Sequence, residues 1–320
     1  MGDKAPVAAG RRIDWAGLPE AVRGFVEESL GSPVVAARTQ SGGFSPGVAA
    51  RLTAADGSAA FVKACGTSLN PDSPRLHRAE IHALRLVPAS LPRPELLAAY
   101  DDADWVAMLL EDVDGRHPAL PWSADDAAAT TAALSLLAAA TGDVGLPTFA
   151  ETAELLTGWD AVAAEPEGVA PELLARLPEM LDLQGRAQEV TAGSALVHWD
   201  ARSDNVLLRQ GEAVLVDWAW ACRGATWLDT LLLAVDFVVQ GGPDPDGYLR
   251  STAVTAAADP TDLRAVVATM VGFWVDRARR PAPPGLPTIR AWQAHCARHT
   301  QDWLSTSTVL AADARRPRQG

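Results

Sequence analysis

Leu18, Val22, Phe25, Val26 and Leu30 recur at helical spacing, which predicts an amphipathic helix over residues 18–30. A strand-like run at 33–39 follows, and then the turn Ser41-Gly42-Gly43-Phe44-Ser45-Pro46-Gly47. Residues 48–53 and 59–65 read as strands flanking Ala55-Asp56-Gly57-Ser58, and Asp-Gly between two such runs predicts a hairpin. Ser73-Pro74 opens a helix to Val87, and two more strands are expected at 94–100 and 105–110. After Gly115 the pattern turns helical: 127–140, 149–163, 171–191, 229–239, 261–279 and 290–310, with short strands only at 206–209 and 213–216. The predicted fold class is α+β in two lobes. Residues 1–115 form an antiparallel β lobe with one main helix, and residues 116–320 a larger, mainly α-helical lobe.

Composition narrows the function. The chain has 320 residues, of which 48% are hydrophobic and 21% charged, the balance of a folded globular protein. Its formal net charge of −13 argues against a nucleic-acid or anionic-membrane partner and favours a cationic small molecule. The acidity is uneven: residues 1–116 carry 12 basic and 15 acidic side chains, residues 117–320 carry 15 and 25. Cys65, Cys222 and Cys296 are far apart and odd in number, so neither a disulfide framework nor a zinc site is expected. The N-terminal segment lacks the apolar stretch of a secretory signal, and no apolar run is long enough to span a membrane, so a soluble, cytoplasmic protein is expected. Nothing in the sequence speaks to oligomeric state. Among 27 basic residues only Lys4 and Lys63 are lysines, so a lysine inside the apolar run 59–65 calls for a reason.

The chemistry concentrates in Val197-His198-Trp199-Asp200-Ala201-Arg202-Ser203-Asp204-Asn205, followed by Val214-Leu215-Val216-Asp217. An Asp, an Asn five positions later, a hairpin and a second Asp suit phosphoryl transfer from a nucleotide. One carboxylate orients the attacking hydroxyl, while an amide and another carboxylate supply hard oxygens for Mg²⁺. In the first lobe, Gly42, Gly43 and Ser45 lie in a turn whose backbone can approach a phosphate, although a Gly-rich hairpin is also simply a hairpin. Lys63 sits in the third strand and Glu80 in the next helix, the spacing of a phosphate-binding lysine held by a helix carboxylate. A surface lysine on an edge strand is the plain alternative.

With its His198-x-Asp200, Asn205, Val216-Asp217 and Asp229, the chain resembles the aminoglycoside phosphotransferase family, small-molecule kinases with a protein-kinase-like fold. The resemblance implies ATP or GTP as donor and Mg²⁺ as cofactor. It implies Asp200 as catalytic base, Asn205 and Asp217 as metal ligands, and His198 and Asp229 as braces of the loop. Met108 to Gly115 is similar to the family's hinge, where adenine would bond backbone near Glu111 and Val113; a plain strand end fits the same residues. Two departures stand out: Trp199 where the family commonly has Gly, and Ala219 where the metal loop often has Gly. Trp199, Trp218, Trp220 and Trp227 cluster in this block, either as core under the loop or as an aromatic wall beside the acceptor.

The leading expectation is a kinase of a small-molecule hydroxyl, an aminoglycoside or related cationic natural product, with antibiotic resistance as its role. The alternatives are a kinase of an amino alcohol or sugar, or a catalytically silent nucleotide-binding protein. Because Lys63, Glu80, Asp200, Asn205 and Asp217 are all present, the silent reading is disfavoured. For a cationic acceptor the candidate residues are Glu165 and Glu167 between helices, and Asp244 and Asp246 in the turn after the catalytic block. A solvated acidic surface is the other reading of these four.

Overall fold

The computed structural model describes residues 5–6, 9–142, 144–152 and 154–311. Helix α1 (Glu20–Leu30) precedes strands β1 (Val34–Thr39), β2 (Val48–Ala54) and β3 (Ala59–Gly66). Helix α2 (Ser73–Leu86) and strands β4 (Leu96–Asp101) and β5 (Trp105–Glu111) complete the N-lobe. Its five strands pair antiparallel in the order β1-β2-β3-β5-β4. The expected hairpin joins β2 to β3, where Asp56 accepts hydrogen bonds from the Ser58 N–H at 2.9 Å and its hydroxyl at 2.7 Å.

Alternation along β3 decides what each face does. Ala60, Val62 and Ala64 face Val22 and Val26 of α1 in one core. The intervening residues, Lys63 among them, therefore face the side on which α2 packs through Ile81 and Leu84 against Met108 and Leu110. Lys63 and Glu80 meet because of this period of two.

The C-lobe contains α3 (Ala124–Ala139), α4 (Phe149–Thr152), α5 (Gly158–Ala164), α6 (Pro171–Leu174) and α7 (Leu177–Val190). Next come β6 (Ala195–Val197), β7 (Val206–Arg209), β8 (Glu212–Leu215) and β9 (Cys222–Gly224). Helices α8 (Leu228–Gln240), α9 (Pro245–Ser251), α10 (Ala253–Ala257), α11 (Pro260–Ala278) and α12 (Ile289–Thr306) close the lobe. The apolar core under β5 and α2 continues through Leu134 and Leu137 of α3 to Leu215, Trp218 and Leu233, so the lobes share packing. No helix among the described residues is long and apolar enough to cross a membrane.

Two expected helices are broken. The run 149–163 divides into α4 and α5 with a 3-10 turn at Glu154–Thr157 between them, and Ala153 lies outside the described residues. The run 171–191 divides into α6 and α7, because Pro178 is tolerated only in the first turn of a helix. The pair β6 and β9 had no periodic signal, being three residues each and joined across the chain.

Glycine lets α11 approach α5 closely. A Cβ on Gly272 would lie 2.5 Å from the Trp159 ring nitrogen, which donates at 2.8 Å to the Ala268 carbonyl. Since Trp159 is fully buried, Gly272→Ala is expected to cost about 1–3 kcal/mol through overpacking. Differential scanning calorimetry checks this; an unchanged Tm contradicts the close approach.

Candidate active site

The segment 198–205, the candidate catalytic loop, is clamped from one face of α8. The Asp229 carboxylate accepts the backbone N–H of His198 and of Trp199, both at 2.8 Å. Two helical turns later, Asp236 accepts the Ser203 N–H at 3.0 Å and the Trp122 indole N–H at 2.8 Å. Burial pushes both carboxyls up to about 6, against the pull of these donors. Asp236 went unnoticed in the sequence, yet its signal is there: a carboxylate seven residues after Asp229 in an otherwise apolar helix.

His198 ties this loop to the next strand's end. Its Nε2 donates to the Val216 carbonyl at 3.1 Å, leaving Nδ1 to accept the Asp200 N–H at 3.2 Å. That pattern requires a neutral ring, and burial pushes the imidazole down to about 4. The ring also packs edge-on against Trp218.

Trp199 and Asp217 share an uncommon backbone conformation, with φ of 59° and 67°. Glycine would adopt it without strain; Trp199 holds it because its N–H is fixed by Asp229 and its ring packs edge-on against Phe149, centroids 4.5 Å apart. Trp199 is 92% buried by packing, as the core reading expects, and its remaining surface lines the central cavity.

Asp200 is fixed on both oxygens. Oδ1 accepts from Arg202 Nε at 2.8 Å, and Oδ2 from the Asn205 amide at 2.7 Å. Burial pushes its carboxyl up to about 7; Arg202 opposes the rise, and Asp217 and Asp204 add to it. Arg202 also pairs with Asp204 at 3.4 Å and lies 4.7 Å from the Trp292 ring centroid and 5.7 Å from that of Phe44. The sequence reading missed Arg202, because one arginine among 25 carries no signal of its own.

From the other side comes Lys63, whose ammonium donates to both Glu80 oxygens at 2.8 Å and lies 3.4 Å from Asp217. Burial opposes the charge on Lys63, but Asp217 and Glu80 together more than offset it and hold the ammonium above its usual range. Burial pushes Glu80 up despite Lys63, while Lys63 and then His77 hold Asp217 down against its partial desolvation. The Glu80 side chain is 2% exposed and that of Asp217 is 30% exposed, so Asp217 is the acid available to a ligand.

One cavity of about 300 Å³ is lined by Gly43, Ser45, Glu80, Asp200, Asn205 and Asp217 among others, while Lys63, His198, Asp229 and Asp236 lie behind its lining. The glycine-rich turn reaches it from above, and Gly47 has φ of 107° with no room for a Cβ beside the Ala64 carbonyl. Gly42 lies outside the cavity lining, and its carbonyl accepts from Arg12. Arg12, also missed, bonds the carbonyls of Gln40 and Ser45 as well, so the N-terminal segment holds this turn.

Other expected residues are not brought to the cavity. Glu111 and Val113 lie outside this cavity's lining; the Val113 carbonyl accepts from Arg51 and the Gly115 N–H, and the Glu111 carboxylate pairs with Arg209, atoms other than the Glu111 carbonyl and Val113 N–H expected to meet adenine. Asp244 caps α9, accepting the Gly247 N–H at 2.9 Å, so the expected turn is a helix start. Asp246 is buried and accepts from Trp303, Ser307 and Thr308, locking the end of α12. Glu165 pairs with Arg280 at 2.6 Å, and Glu167 is exposed. None of these four acids lines the cavity, which corrects the expectation that they receive an acceptor.

A hard cation fits the donor set. Asp217 offers a carboxylate to the cavity, and the amide nitrogen of Asn205 is spent on Asp200, which leaves its amide oxygen for a metal. Two such oxygens suit a cation like Mg²⁺, which takes one or two protein oxygens and completes its shell with phosphates and water.

Solved structures share this fold at low identity. A thermostable mutant of the aminoglycoside phosphotransferase APH(4)-Ia, in complex with ADP and hygromycin B, is 17% identical (TM-score 0.57; 88% of this chain, 98% of that one). The choline kinase LicA from Streptococcus pneumoniae is 12% identical (0.57; 89% and 99%), and the amicoumacin kinase hAmiN 14% identical (0.54; 92% and 96%). No curated protein gives a significant sequence match. A family model, however, matches residues 37–266, which span the glycine-rich turn, Lys63, Glu80 and the whole catalytic block, and on that match the chain belongs to the phosphotransferase enzyme family (APH) as a small-molecule phosphotransferase with a two-lobed protein-kinase-like fold.

Proposed function

We propose that this enzyme transfers the γ-phosphoryl group of ATP or GTP to a hydroxyl of a small molecule, with Asp200 as the general base. The observation that carries the reading is one cavity lined by the Asp200–Asn205 pair and by Glu80 and Asp217, the two acids that hold the Lys63 ammonium behind it. Lys63 bonds the donor's phosphates, held in place by Glu80. Asp200 accepts the acceptor's hydroxyl proton as the new O–P bond forms and the bond to the leaving nucleoside diphosphate breaks. Its raised carboxyl suits a base working near neutral pH. Asn205 and Asp217 would hold Mg²⁺, which supplies charge neutralisation at the phosphates when bound. His198, Asp229 and Asp236 keep the loop in register.

The test is nucleotide turnover with Mg²⁺ across a panel of hydroxylated compounds, read as a phosphoryl mass gain on one of them. Binding of a nucleotide without transfer to any acceptor would favour the silent reading. A cationic acceptor, such as an aminoglycoside, draws support from the net charge of −13 but has lost the four acids expected to meet it.

Lys63→Arg is expected to impair turnover nearly as much as Lys63→Ala, by about two orders of magnitude, the scale of one charge-stabilising donor. A planar guanidinium keeps the charge but does not reproduce a point ammonium between two carboxylates and the phosphates. Steady-state kinetics checks this, and near-normal activity in the arginine variant removes Lys63 from the site.

A further inference from the structure

We infer that the acceptor is a neutral, predominantly apolar molecule carrying a hydroxyl, seated against an aromatic wall. The inference rests on the phosphotransferase reading above and adds the chemical class of the substrate. Beyond the rim of catalytic residues, the cavity is walled by Phe44, Trp199, Trp220, Phe273, Trp274 and Trp292. Leu286 and Ile289 extend the apolar surface where α11 hands over to α12. Contacts between rings make this a continuous wall: Trp292 lies 5.3 Å from Phe44 and 6.2 Å from Trp274, so the glycine-rich turn and α12 share it.

Four carboxylates share two cations here, and the ion pairs leave an incoming cation no dedicated partner. Four acids line the cavity, and each is already answered: Glu80 and Asp217 by Lys63, Asp200 and Asp204 by Arg202. An aromatic wall can also bind an ammonium through its ring faces. Here three of the six rings already carry a cation of the protein's own: Arg202 over Trp292 and Phe44, and Arg277 over Phe273. A cationic acceptor would meet the Arg202 guanidinium and find no lining carboxylate outside an ion pair. A neutral apolar body loses nothing to either and gains the burial of its surface.

Backbone strain points the same way. Trp199 occupies a left-handed conformation that glycine would adopt without cost, and its large side chain borders the acceptor's space beside Asp200. The strain brings an aromatic ring to the reacting centre.

The experiment compares three acceptor sets with ATP and Mg²⁺: neutral aryl-alkyl alcohols, polycyclic alcohols and macrolactone polyols; the cationic hygromycin B and choline; and uncharged sugars. Nucleotide binding is measured separately by calorimetry. The expected result is phosphorylation of at least one neutral apolar acceptor with kcat/KM at least about tenfold above every cation, and an acceptor KM unchanged by salt, since screening acts only on facing charges. Trp220→Leu is expected to raise the KM for that acceptor about tenfold, the scale of a few lost methylene-sized contacts, without moving the nucleotide KM. Trp220→Phe should restore most of it. The inference is overturned if a cation or sugar is the better acceptor, if no neutral apolar compound is phosphorylated while nucleotide binds, or if both Trp220 variants keep the wild-type KM. Absence of nucleotide binding overturns the phosphotransferase mechanism itself, which separates the two failures.

Discussion

Asp200→Asn is expected to lower turnover by about three orders of magnitude, the range of a positioned general base, while nucleotide affinity stays within about twofold. The carboxylate is the acid of the catalytic loop held on both oxygens, by Arg202 at 2.8 Å and Asn205 at 2.7 Å, so its direction is set before any acceptor arrives. In the asparagine variant one of those two acceptor positions becomes a donor and faces Arg202 or Asn205, which weakens the local network without emptying it. The pH profile distinguishes loss of the base from loss of the fold. Burial raises the wild-type carboxyl to about 7, so below that pH the group binds a proton and ceases to accept one. The kcat/KM of the wild type should therefore fall as pH drops through about 7, and the residual rate of Asp200→Asn should lose that limb. Retained activity, or an acid limb that survives in the variant, contradicts the role.

Asp217→Ala should be nearly as severe, and for a different reason. Its carboxylate holds two relationships: it lies 3.4 Å from the Lys63 ammonium, and it is the more exposed of that ammonium's two acids and lines the cavity. Without it Lys63 keeps only Glu80, and the metal loses the charged member of its pair. Turnover is expected to fall by about two to three orders of magnitude, as for other charge-stabilising groups at a phosphoryl-transfer centre. Nucleotide binding should lose most of its dependence on Mg²⁺, whereas Asn205→Ala should only raise the Mg²⁺ requirement, since an amide supplies an oxygen without charge. Alanine also resists the φ of 67° at this position, and Asp217→Asn, which tolerates it, separates lost charge from lost backbone geometry. Calorimetric titration of nucleotide at several Mg²⁺ concentrations checks both variants; unchanged metal dependence in Asp217→Ala refutes the assignment.

Much of this was legible because the determinants are local or periodic. The hairpin at Asp56-Gly57 follows from turn chemistry, and the face on which Lys63 meets Glu80 follows from alternation along β3. The spacing of His198, Asp200, Asn205, Asp217 and Asp229 carried the family, and those residues do meet around one loop. By contrast, Pro-flanked carboxylates look the same whether they await a ligand or cap a helix. Asp246 is occupied by Trp303, Ser307 and Thr308, residues about sixty positions away that no local pattern connects to it.

The sequence by itself determined the division into a β lobe and a helical lobe and singled out the candidate residues for the reaction, because periodicity and short-range spacing encode both. Only the tertiary structure decided what surrounds them. Arg202 reads as an ordinary arginine until α12 sets Trp292 against it, and Trp199 reads as core until its positive φ turns the ring to the cavity wall. The same holds for the acids: net charge is a sum over the chain, but what a cavity recognises depends on which charges are already paired. Pairing is fixed by contacts between residues far apart in sequence, and such contacts exist only once the elements have packed.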